Sequence, residues 1–71
     1  MSWSRTVFSS MVSEVGYDDQ AQEMIVTWAK GGKTSAYVGV PEELADTCSR
    51  APSVGSFINS EIKPFYQHRY V

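Results

Sequence analysis

Residues 23–30, EMIVTWAK, alternate in polarity. Met24, Val26 and Trp28 fall on one face and Ile25, Thr27 and Ala29 on the other, which is the period of a half-buried strand. Residues 33–40, KTSAYVGV, read as a second strand. The Gly31-Gly32 pair between them predicts a hairpin, because both central positions of the favoured turn need positive φ and glycine takes it without strain. Upstream, residues 6–17, TVFSSMVSEVGY, mix β-branched and aromatic residues with serines and predict one strand bent near Ser9-Ser10. Gly16, Asp18 and Asp19 then supply turn chemistry.

After Pro41 the period changes. Proline suits the first helical position, where its missing N–H is no loss. Glu42 and Glu43 follow, where negative charge meets the positive end of the helix dipole. Leu44 and Cys48, four apart, give this short helix over about residues 41–50 its buried stripe. Ser53 is positioned to cap a second helix. In it Val54, Phe57, Ile58 and Ile62 recur at helical spacing, until Pro64 stops it.

The expected fold is α+β: a three-stranded antiparallel sheet followed by two helices packed on one face. It forms a single domain over residues 1–71, with its core at about 6–64 and the tail 65–71 (FYQHRYV) outside the regular elements. Trp28 and Phe57 belong to the core in this reading. Tyr37, alternating with Ser35 and Gly39, falls on the solvent face of the sheet or at an interface.

Length and charge refine the picture. A chain of 71 residues buries only about 60% of its unfolded surface, so a homo-oligomer is expected as a source of further stability. The net charge of −2 argues against broad electrostatic binding of nucleic acid. Acids gather at Glu14, Asp18, Asp19 and Glu23 and again at Glu42, Glu43 and Asp46. The bases stand at Lys30, Lys33, Lys63, His68 and Arg69, which leaves room for a local basic surface only. No run approaches the roughly 20 apolar residues of a membrane span, and the first residues lack a signal-peptide pattern. A lone cysteine excludes an internal disulfide and suits a reducing compartment. A cytoplasmic protein with no membrane attachment is expected.

Gly32-Lys33-Thr34 also ends the phosphate-binding loop signature. That signature needs a glycine five residues before Gly32 and a helix after it. Thr27 stands at the first place and a strand follows at the second, so the tripeptide belongs to a turn. No catalytic set is visible. His68 lies near a terminus, where a base is poorly held; Cys48 falls on an apolar stripe; Asp18-Asp19 is turn chemistry. The lone His and Cys have no companions at metal-ligand spacing. No enzyme, metal or cofactor is expected.

The punctuation of the chain resembles a family of small domains called KTSC, found at the C-terminus of some lysyl-tRNA synthetases and alone in bacterial and phage proteins. The resemblance runs over about residues 8–66 through SSMVSEVGYD, MIVTW, GKTSAYVGVP and APSVGSFINSEIK. Two departures stand out: Ser35 replaces the family's first tyrosine, and Pro64 follows Lys63. The resemblance implies a domain of undescribed function for which RNA binding is suggested, and includes Ser53, Asn59 and Lys63 in its polar pattern.

Aromatic planes beside cations suit a base or nucleotide, since rings stack and cations meet phosphate. The candidate ligand-binding residues are therefore Tyr37, Asn59, Lys63 and Arg69. The expected function is a non-catalytic module that binds or sequesters a nucleotide-like ligand or short RNA, in a phage-encoded form acting on host signalling. The alternative is a protein-interaction module that inhibits or adapts a host protein.

Overall fold

The computed structural model describes residues 2–71. Five strands form one sheet in the order β1-β2-β3-β4-β5, every neighbouring pair antiparallel. They are β1 (Trp3–Thr6), β2 (Val12–Asp18), β3 (Glu23–Trp28), β4 (Thr34–Val38) and β5 (His68–Tyr70). Between β4 and β5 the chain forms α1 (Glu42–Ser49) and α2 (Val54–Phe57), and α2 continues as a π-helical turn over Ile58–Ile62.

The two-layer α+β design is as expected, but the sheet has five strands where three were predicted. The bend at Ser9-Ser10 is in fact a reversal that separates β1 from β2. β1 escaped notice because its inward positions are Trp3 and Arg5, and an inward arginine breaks the apolar alternation. β5 escaped because all three of its residues are exposed. It is recruited by backbone pairing: Val38 N–H donates to Gln67 C=O at 2.8 Å and Val71 N–H to Thr34 C=O at 3.0 Å. The tail is thus an edge strand.

Register places two rows of side chains on the helix-covered face. One runs Trp3, Tyr17, Met24, Tyr37, His68; the other Arg5, Val15, Val26, Ser35, Tyr70. A bulge between Val12 and Glu14 lets Val12 join Val15 on this face although they are three apart. Val12, Val15, Met24 and Val26 meet Val40, Ala45, Cys48, Ile58 and Ile62 in the core. Trp28 and Phe57 lie at its margin, half-buried, and the Trp28 indole N–H donates to Ser35 Oγ at 2.9 Å.

Local chemistry departs from expectation at three points. Gly16 sits inside β2 and not in the turn; a Cβ there would stand 3.0 Å from the Trp3 carbonyl oxygen, so its absence lets β1 come close. Pro41 precedes α1 in extended conformation (ψ 148°), its carbonyl accepting from the amides of Leu44 and Ala45 at 3.1 Å. Ser53 occupies the cap position of α2, but its hydroxyl makes no cap hydrogen bond. The β3–β4 hairpin and its glycines at positive φ are as expected, Gly31 at 82° and Gly32 at 65°. The loop is longer than the two residues predicted: Trp28 N–H closes on Lys33 C=O at 2.8 Å, which leaves residues 29–32 between them. Thr34 then opens a strand.

Candidate functional site

The four residues singled out by sequence do not converge. Tyr37 is 2% exposed, on the helix-covered face of β4, which corrects its expected place on the solvent face. The alternation misled because Ser35, the polar neighbour, goes inward too, as the acceptor for Trp28. Burial raises the Tyr37 phenol pKa above its ordinary value. Arg69 pairs with Ala36 in register and so projects from the opposite face. There its guanidinium grips the nearly buried Glu23 carboxylate in a fork, Nε to Oε2 at 3.2 Å and Nη2 to Oε1 at 3.0 Å, which raises the Arg69 pKa. Asn59 and Lys63 are exposed at the end of the helical layer, where Lys63 N–H reaches back to Ile58 C=O at 2.8 Å. Tyr37 and Arg69 share no surface.

Other residues gather where β4 meets β5. α1 packs against β2, and at the far margin the rows end in the exposed side chains of His68 and Tyr70. His68 lies between Tyr37 and Tyr70, 5.5 Å from each ring centroid and edge-on to Tyr70. Tyr70 is 69% exposed, and Lys33 Nζ lies 5.9 Å from its ring centroid. A cavity of about 340 Å³ opens beside them, lined by Gly32, Lys33, Thr34, Tyr70 and Val71. Sequence reasoning placed Lys33 among the bases and left Tyr70 within the tail 65–71, and could not join them, because the β4–β5 pairing has no apolar signature.

At the other end of the sheet a cavity of about 550 Å³ is lined by Tyr17, Asp19, Gln22, Gly39, Val40, Pro41, Glu42 and Glu43. The Tyr17 hydroxyl donates to Val40 C=O at 2.8 Å, and burial, then the charges of Glu42 and Asp18, raise its pKa. The mouth is acidic.

A third cluster joins β1 to α1. The Arg5 guanidinium bonds to the Asp46 carboxylate, and to Ser49 Oγ at 2.8 Å. Arg50 Nε adds a second donor to Asp46 at 3.1 Å, and the bonds from Arg5 and Arg50 lower the Asp46 pKa. Arg5 also stacks 4.2 Å above the Trp3 ring, whose indole N–H reaches Glu42 at 3.1 Å. Arg5 and Trp3 thus hold the strand to the helix, while Arg50 pairs with Asp46 within the α1 segment.

Cys48 is fully buried, and burial pushes its thiol up to about 11, so at neutral pH it is a protonated core side chain. Among the described residues no group of three or more His, Cys, Asp or Glu is placed to hold a metal ion. No described helix is long and apolar enough to cross a membrane.

Comparison with known proteins agrees with the architecture. The chain is 36% identical over 61 residues to a protein of Tsukamurella paurometabola, covering 86% of this chain and 90% of that one. It superposes on the crystal structure of a KTSC domain protein from Yersinia pestis with a TM-score of 0.87 and 28% identity, over 100% of this chain and 99% of the other. The model of the KTSC domain family matches residues 8–66. That match spans most of the sheet and the whole helical layer, and the chain belongs to the KTSC domain family.

Proposed function

We propose that this KTSC domain is a non-catalytic binding module that takes a nucleotide-like ligand or short single-stranded RNA at the open margin of β4 and β5. The observation that carries the reading is the pairing of Lys33 with the exposed Tyr70 ring, beside the smaller cavity. A flat ring accepts the face of any base, and an adjacent ammonium meets its phosphate. His68 buttresses Tyr70 edge-on, which holds the platform in place. The site lies away from the acidic cavity, so a chain of net negative charge still offers a local cationic surface.

The test is titration of a short labelled oligouridylate and a thermal-shift series with mononucleotides. Stacking of one base is worth about 1–3 kcal/mol, so Tyr70→Ala should weaken binding by roughly 5- to 150-fold. Lys33→Ala should weaken it less and reduce its salt dependence. Failure of both RNA and nucleotides to bind the wild type at millimolar ligand would remove the reading. The protein-interaction alternative has its own support in Phe8, whose side chain is fully exposed on the β1–β2 loop.

A further inference from the structure

Phe8 is 100% exposed and its loop neighbour Met11 is 46% exposed. Met11 also lies against α2, its Sδ 3.0 Å from where a Cβ on Gly55 would stand. The Ala29 amide donates to the Met11 carbonyl at 2.9 Å, which ties this loop to the β3–β4 turn carrying Lys30. This end of the sheet therefore presents an apolar knob beside a cation. Among the described residues Lys30 forms no ion pair within the chain. Glu14, an acid close to this end, lies in register with Thr27 and projects from the other face of the sheet.

The opposite end is its complement. The larger cavity is lined by the buried Tyr17 and Val40, by Gly39 and Pro41, and by the polar side chains of Asp19 and Gln22, with Glu42 and Glu43 exposed. It is roomy enough for an aromatic ring.

We infer that these two ends recognise each other between copies of this chain. Phe8 of one copy enters the cavity of the next, and Lys30 approaches the Glu42 and Glu43 carboxylates. The charge complementarity selects a second copy as the occupant: the acidic mouth at one end of the sheet faces the sign that Lys30 carries beside Phe8 at the other. Because the surfaces are different, the contact is heterologous and propagates into short chains or closes into a ring. The molecule spans 28 × 23 × 22 Å, so one end offers less than the roughly 800 Å² per partner of a standard stable interface. Assembly is accordingly weak and salt-sensitive. This does not depend on the RNA reading, which uses the β4–β5 margin.

The test is sedimentation velocity over a concentration series. The wild-type mass should climb above 7.9 kDa without stopping at a dimer as concentration approaches about 1 mM, and fall back in high salt. Phe8→Ser and the double variant Glu42→Lys, Glu43→Lys should each remain monomeric alone. Mixed together they should form a one-to-one pair and stop, since one retains the cavity and the other the knob. Glu43→Lys alone serves if the double variant loses its fold, because it spares the Trp3–Glu42 bond. A wild type that stays monomeric throughout overturns the inference, even if Phe8→Ser reduces binding to vesicles or RNA. So does a dimer that Phe8→Ser leaves intact, or a mixture that fails to pair. Tyr70→Ala should leave assembly unchanged while lowering RNA affinity, which separates the two claims.

Discussion

The two edge strands, β1 and β5, are built alike and held differently. Each is short, and each carries an arginine bound to a carboxylate of another element: Arg5 to Asp46 for β1, Arg69 to Glu23 for β5. In β1 the arginine points into the helical layer, between Trp3 and Ser49, and binds the strand to α1. In β5 it lies on the open face and binds the strand only to the sheet. β1 is therefore fastened by both layers, whereas β5 rests on backbone pairing, one ion pair and ring contacts. The difference separates a strand that belongs to the folding unit from one that can serve as an adjustable margin, and the proposed ligand surface lies on the second.

The contrast can be broken most directly at Gly16. Gly16→Val places atoms where the Trp3 carbonyl stands, and we expect a loss of about 2–3 kcal/mol in urea unfolding as β1 is pushed off. Gly31→Ala provides a milder control for the strain of positive φ alone.

Arg5→Ala comes next. It leaves the Asp46 carboxylate with Arg50 alone and removes the ring contact with Trp3, so the melting temperature should drop measurably. Asp46 supplies the matching pH dependence. Its folded pKa is depressed below its unfolded value, so its stabilisation is present above the unfolded pKa of about 4 and is lost as pH falls through the folded pKa. Wild-type melting temperature should decline across that acidic window, and Asp46→Asn should flatten the decline.

The smallest global effect belongs to Arg69→Ala. Removing its guanidinium opens Glu23 to water, which offsets the loss of the pair, and the melting temperature should move little. Amide exchange should instead quicken at β5 and spare β1. Equal protection in both strands after this change would contradict the comparison.

What could be read in advance follows the same division. β3, β4, α1 and α2 were legible because their apolar positions are periodic: Met24, Val26 and Trp28 at period two, Leu44 with Cys48 at a helical turn. In α1, however, it is Ala45 with Cys48 that is fully buried, and Leu44 only in part. The Gly31-Gly32 turn was legible because a local backbone requirement selects glycine. β1 and β5 were not, because Arg5 and Arg69 occupy strand positions through partners 41 and 46 residues away. The candidate site was misread for a related reason. Tyr37 was placed outside by alternation, yet Ser35 satisfies an indole and takes the whole face inward. Lys33 and Tyr70 became neighbours only through a strand with no apolar pattern of its own.

By itself the amino-acid order determined a sheet roofed by two helices, a glycine turn at 31–32 and a thiol at Cys48 suited to the core, since each depends on neighbours within a few positions. Tertiary structure alone decided the edge strands β1 and β5, the face of Tyr37 and the meeting of Lys33 with Tyr70. Those rest on charge pairs and backbone ladders between distant segments, and such interactions leave no period in the chain that makes them.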